Sequence, residues 1–270
     1  MSIDCLRPHW GFTKQPFTRD LAPSMLFQSR SHQEAVARIS WLVSERALGM
    51  VTGEVGSGKS VAARAAVSGL DTSRHTVVYL ANPAVGTRGM YAQIVAALGG
   101  VPRFHRAALI AQATSLLQAE EAEWGRRVLL VIDEAHLIDE GLEELRLLMA
   151  SDMDSRAAFG CVLLGQPTLR RRVRLGTFAA LSQRIALRYV LEGMEQDETK
   201  AYIAHHTAIS GRSDTIFSDD ACALIHQVSR GLPRAVNNLA IQALISAFAD
   251  KKTIVDERSA AAAVTELDAA

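Results

Sequence analysis

The sequence predicts an α/β protein, a five-stranded parallel sheet flanked by helices and followed by a small all-helical domain. Three observations carry that prediction. A complete phosphate-binding loop, Gly53-Glu54-Val55-Gly56-Ser57-Gly58-Lys59-Ser60, stands between an apolar run and an alanine-rich stretch. A second apolar run, Val128-Leu129-Leu130-Val131-Ile132, ends abruptly in Asp133-Glu134. Beyond Gly193 the strand-like runs stop and helical periodicity takes over.

Residues 1–30 carry Pro8, Pro16 and Pro23 with Trp10, Phe12, Phe17 and Phe27. That composition suits an irregular arm packing by its aromatics rather than a helix. Residues 31–46 read as a helix with Ala35, Ile39 and Leu42 on one side and Ser31 as N-cap ahead of Glu34. Leu48-Gly49-Met50-Val51-Thr52 is short and apolar, a buried strand. The loop then opens a helix through 61–67 that Gly69 stops. A strand at 76–80, a helix near 88–98 and a long helix over about 107–124 follow. The run at 128–132 is β-branched and too short for a helix, so it reads as a strand buried on both faces. Asp139 is placed to cap a helix whose Leu142, Leu145, Leu148 and Met149 form a core stripe. Strands at 159–164 and 185–191 complete the sheet, and helices are expected at 195–210, 218–229, 233–248 and 257–267. The boundaries implied are an arm at 1–30, an α/β domain at 31–192 and a helical lid at 193–270.

Hydrophobic residues make up 49% and charged ones 21%, which places the chain among folded rather than disordered proteins. Lys and Arg number 29, as do Asp and Glu, so no net field draws the chain to nucleic acid and any such contact needs a local patch. Cys5, Cys161 and Cys222 lack metal-ligand spacing, and Cys161 lies in an apolar run as a core residue would. His205 and His206 are adjacent on one helix and point apart, which makes them a poor metal pair. The N-terminus has no apolar signal stretch and no window reaches membrane-spanning length. A soluble, cytoplasmic protein without a membrane partner is expected.

The chemistry follows from the two motifs. Glycines let the loop curl so that successive N–H groups face phosphate oxygens, Lys59 brings charge to the β- and γ-phosphates, and Ser60 offers a hydroxyl to Mg²⁺. The helix that follows adds its N-terminal dipole. Asp133, at the carboxyl end of a parallel strand, is placed to hold Mg²⁺ directly or through water. Glu134 is the natural base for an attacking water. A solvated acidic turn is the plainer reading of that pair, but the loop beside it favours ATP hydrolysis. The acidic strand is third in order, so bringing Asp133 to the loop requires the intervening strand to lie outside the pair.

These motifs, with Leu164-Gly165-Gln166-Pro167, Leu181-Ser182-Gln183-Arg184 and Gly231-Leu232-Pro233-Arg234, occur in the order of an AAA+ ATPase. More narrowly the chain resembles the ExeA-like group, which includes the secretion ATPase ExeA and transposon-encoded regulators of the TniB and MuB type. Phe12 with Pro16-Phe17, Glu198-Thr199 with Tyr202-Ile203, and Asn237-Asn238 after Pro233-Arg234 belong to that likeness. The resemblance implies that Gln166 is a sensor orienting the attacking water, although a turn residue before Pro167 would look the same. It implies that Arg184 is a finger reaching a neighbouring subunit's nucleotide, with Arg188 as competitor and a solvated arginine as the plainer reading. Arg234 matches a second sensor that contacts the γ-phosphate in cis. Arg170, Arg171, Arg172 and Arg174 are the best local cluster for a DNA backbone, or simply a solvated helix face.

Three functions fit. The first is an ATP-dependent regulator of DNA transposition, a homo-oligomer in ring or filament form that binds duplex DNA without strong sequence preference and recruits a transposase. The second is a secretion-type assembly ATPase, and the third an ATP switch that binds no DNA. Secretion ATPases of this kind continue into a transmembrane segment and a cell-wall-binding domain. The sequence stops at Ala270 after the helical part, so the transposition reading is expected.

Overall fold

The computed structural model describes residues 6–18, 20–138, 141–150 and 157–268. Asp139, the expected helix cap, and Cys5 lie outside the described residues. The chain divides into two compact units, one of residues 32–55 and 59–191, the other of residues 1–31, 56–58 and 192–270.

The first unit is built on a five-stranded parallel sheet of β1 (Leu48–Thr52), β2 (His75–Leu80), β3 (Arg127–Ile132), β4 (Phe159–Gly165) and β5 (Ile185–Val190), in spatial order β2-β3-β4-β1-β5. As the order of motifs required, β2 lies outside the pair formed by the loop strand and the acidic strand; β4 sits between those two. The apolar runs of β1, β3 and β4 are continuous because successive side chains enter two different cores. Leu130 and Ile132 pack with Leu163 beneath α4 (Gly86–Ala97), α5 (Arg106–Ala122) and α6 (Gly141–Met149). Leu129 and Val131 pack with Leu164 beneath α2 (Arg30–Glu45) and α3 (Lys59–Ser68). Each such side chain contributes about 1.5–3 kcal/mol by leaving water, so β3 holds its carboxyl end, and Asp133 with it, firmly in place.

Leu142, Leu145, Leu148 and Met149 are all buried, as the stripe required. Two further helices, α7 (Pro167–Val173) and α8 (Ala179–Arg184), fill the connection from β4 to β5. Ser31 is not an N-cap: the helix already begins at Arg30, and the Ser31 hydroxyl instead accepts a hydrogen bond from the Glu192 N–H at 3.2 Å.

The second unit gathers α9 (Gln196–Ile209), α10 (Asp219–Ser229), α11 (Pro233–Ala249) and α12 (Glu257–Asp268) around one core. Glu195 and Glu198 form a reciprocal capping box at the start of α9, and the Ser218 side chain caps α10. The N-terminal arm belongs to this unit: Trp10, Phe12 and Phe17 are buried among the helices. The Thr13 N–H donates to the Ser210 carbonyl at 2.8 Å, and the Phe17 ring stacks on His206 at 5.2 Å. The arm is not wholly irregular, because Leu6–Trp10 forms a short helix, α1. His205 bonds the Met25 carbonyl at 2.8 Å, and its ring stands edge-on to that of His206 at 5.9 Å. No helix among the described residues is long and apolar enough to cross a membrane.

Candidate nucleotide-binding site

The phosphate loop runs from the end of β1 into the first turn of α3, with Gly56 and Gly58 at φ values of +82° and +96°. Only glycine adopts such angles without strain, and they turn successive N–H groups to one side of the loop. The Gly53 N–H donates to the Gly165 carbonyl at 3.2 Å, tying the loop entrance to the end of β4. Lys59 is buried, and its Nζ donates to the Gly53 and Glu54 carbonyls at 2.9 Å each, so the ammonium is held over the loop that would carry phosphates.

Ser60 and Asp133 meet as the motifs predict, with Ser60 Oγ donating to Asp133 Oδ2 at 2.6 Å. The Asp133 backbone N–H bonds the Leu80 carbonyl at 2.9 Å, and its Oδ1 accepts the Glu134 N–H at 2.8 Å. A third donor was not legible in the motifs: Tyr79 Oη reaches Asp133 Oδ2 at 2.9 Å. Burial, then this bond and the Asp133 charge, push the Tyr79 phenol up to about 12, so it stays a donor at neutral pH. The only sequence signal for Tyr79 is a hydroxyl-bearing residue near the carboxyl end of the strand that pairs with β3.

Glu134 follows at φ +49°, a left-handed conformation that costs a side-chain-bearing residue about 1–2 kcal/mol. Its carboxylate is half exposed. His136 Nδ1 lies 3.3 Å from Glu134 Oε2 without a hydrogen bond.

Gln166 stands at the end of β4 as the N-terminal flank of α7, and its side chain does not cap that helix. Arg234 occupies the first turn of α11, where its N–H donates to the Gly56 carbonyl at 3.3 Å. A Cβ at Gly56 would stand 2.7 Å from Arg234 Cβ, so this glycine is needed for that approach. Arg184 ends α8, half-buried and already engaged. Its competitor Arg188 is tied to the Ser182 carbonyl and hydroxyl at 2.6 and 2.7 Å.

Leu169 and Val173 bury one side of α7, so the arginines fan over the rest. Arg171 and Arg174 are exposed, Arg170 is half-buried, and Arg172 lies over the Phe178 ring at 5.5 Å. The cluster is therefore spread rather than a single flat patch.

Residues 42–173 match the family model of an AAA domain. General secretion pathway protein A of Aeromonas hydrophila is 31% identical over 255 residues, which is 89% of this chain and 44% of that protein. The chain thus spans less than half the length of that relative. Among solved structures, the ORC2 protein of Aeropyrum pernix with ADPNP and ADP aligns with a TM-score of 0.64 at 22% identity, over 93% of this chain and 70% of its own. The ORC1 protein of the same organism, in complex with DNA, aligns with a TM-score of 0.65 at 12% identity, over 96% and 69%. At such identities these likenesses concern the fold alone.

Proposed function

From an AAA domain over residues 42–173, set in a P-loop fold of the AAA+ type, we propose that this chain binds ATP with Mg²⁺ and hydrolyses it to ADP and phosphate. The Ser60–Asp133 hydrogen bond carries the reading. It sets a hydroxyl and a carboxylate side by side next to a glycine-rich loop, the oxygen donors that a hard cation prefers. Ser60 and Asp133 would hold the ion, which when bound offsets negative charge on the phosphates. The N–H groups of residues 53–60 and the Lys59 ammonium bind the phosphate oxygens. Glu134 takes a proton from water as the water oxygen bonds to the γ-phosphorus and the bond to the ADP oxygen breaks. In this reading Gln166 orients that water, Arg234 steadies the γ-phosphate from the same chain, and Arg184 serves a neighbouring subunit.

The hydrolysis serves DNA transposition in this proposal: a cytoplasmic homo-oligomer, ring or filament, of the TniB and MuB type assembles on duplex DNA and recruits a transposase. The motifs quoted above and the exposed Arg171 and Arg174 support it. The 31% identity to General secretion pathway protein A favours a second reading, an assembly ATPase for secretion. Anisotropy titrations of duplex DNA, with and without a non-hydrolysable ATP analogue, separate the two. The transposition reading expects binding that the analogue strengthens and that falls steeply with salt, its log–log slope easing by about one for each phosphate-contacting arginine neutralised. No binding at low salt by an oligomeric, analogue-bound protein transfers the function to secretion or to an ATP switch that binds no DNA. Binding that survives neutralisation of Arg170, Arg171, Arg172 and Arg174 together removes only this choice of patch.

A further inference from the structure

We propose that Tyr79 is a positioning residue for the metal-holding carboxylate, fixing the Asp133 rotamer so that the Mg²⁺ site stands formed before nucleotide arrives. The inference rests on the reading of Ser60 and Asp133 as Mg²⁺ holders. Tyr79 lies on β2, an edge strand, and the residue is 53% exposed, so packing gives little reason for a large aromatic there. What the side chain does make is the 2.9 Å hydrogen bond to Asp133 Oδ2.

Its position allows this because β2 and β3 run parallel with Tyr79 opposite Val131 and Leu80 opposite Ile132. The Leu80 carbonyl then accepts the Asp133 N–H, so two consecutive β2 residues hold the backbone and the side chain of the same aspartate. The Asp133 carboxylate is thereby fixed at both oxygens, with Ser60 and Tyr79 on Oδ2 and the Glu134 N–H on Oδ1. A ligand that must not rotate when a cation draws on it needs such outer partners, and losing one typically weakens metal binding by about 10- to 100-fold.

The two hydroxyls on Oδ2 are not equivalent. Ser60 has a second task once the ion is present, because its oxygen then serves the metal. The Tyr79 hydroxyl makes no other hydrogen bond among those described, so its one task there is to hold the carboxylate. The consequence is specific: loss of the phenol hydroxyl should tell on the metal requirement and leave the loop's own grip on phosphates intact.

The test is a fluorescent-ATP titration of the full chain and Tyr79→Phe, first in EDTA and then across Mg²⁺ concentrations. The expected result is equal affinity in EDTA and an approximately tenfold rise in the Mg²⁺ concentration for half-maximal enhancement of binding. A wild-type Mg²⁺ requirement in Tyr79→Phe overturns the proposal while leaving Mg²⁺-ATP binding intact. An equal loss of affinity with and without Mg²⁺ also overturns it, since the ring would then be supporting the loop. Wild-type binding that ignores Mg²⁺ altogether overturns the metal role of Ser60 and Asp133, and this proposal with it.

Discussion

Replacing Gly231 with alanine would put a methyl group into occupied space. A Cβ at this position stands 1.9 Å from the Met194 carbonyl oxygen and 2.7 Å from the Met194 nitrogen. Both obstacles are backbone, and they are held there, because the Met194 N–H donates to the Gly231 carbonyl at 2.9 Å. Residue 231 also sits at φ +67°, which costs alanine about 1–2 kcal/mol by itself. Relieving the overlap means pulling the two segments apart and giving up that hydrogen bond, about 1 kcal/mol more. With the residual strain, Gly231→Ala should lose at least about 3 kcal/mol, a large fraction of a typical domain's stability. The change also falls three residues before Arg234, whose N–H bonds the Gly56 carbonyl within the same unit. Urea unfolding followed by circular dichroism measures the loss, with Gly176→Ala as control, where a Cβ meets no atom within 4 Å. A Gly231→Ala protein within 0.5 kcal/mol of wild type would refute the steric reasoning.

Three further outcomes are expected. Lys59→Ala removes a buried ammonium that bonds two loop carbonyls, and ATP affinity should fall about 100-fold or more, as for one or two lost charge-assisted bonds, by fluorescence titration. Arg184→Ala should still bind ATP but lose turnover, and mixing it with Lys59→Ala should restore part of the activity at hybrid interfaces. Turnover per subunit that is independent of protein concentration would contradict a finger acting in trans. His206 is buried against Phe17 and Tyr202, and burial lowers its pKa to about 4. The folded state therefore binds fewer protons than the unfolded one below pH 6.5. Its contribution is fully present above that pH and declines as pH falls toward 4, by up to ~3 kcal/mol. His206→Phe should flatten that part of a stability–pH curve, and an unchanged slope would reassign the acid sensitivity.

Much of the first unit was legible because its three central strands are buried on both faces. Leu48–Thr52 could be read to the residue from a short apolar run ending at the loop, and β3 from an unbroken run ending in a carboxylate. The meeting of Ser60 and Asp133, 73 residues apart, was legible because both residues belong to motifs whose chemistry requires it. What escaped was either too short for periodicity or dependent on register. α1 has five residues, one of them Pro8, and gives no repeating pattern to read. α7 announces itself only by Pro167 in its first turn and by Leu169 and Val173, which are interleaved with the arginine run. Tyr79 reaches Asp133 from another strand, so its role depends on a β2–β3 register that the sequence does not state. Gly231 was visible as part of a motif, but not the backbone approach to Met194 that demands it. The left-handed turn at Glu134 likewise comes from the fold around it, since glutamate has no preference for that conformation.

The central claim is that the carboxylate of Glu134 drives hydrolysis at a site whose ATP binding does not need it. Single-turnover ATP hydrolysis with Mg²⁺, measured alongside ATP affinity in wild type and Glu134→Gln, tests this most directly. The account predicts unchanged affinity and a rate at least about 100-fold lower in the variant, the usual range for losing a general base. Hydrolysis by Glu134→Gln at the wild-type rate, or none by wild-type protein that binds ATP and oligomerises, would contradict it.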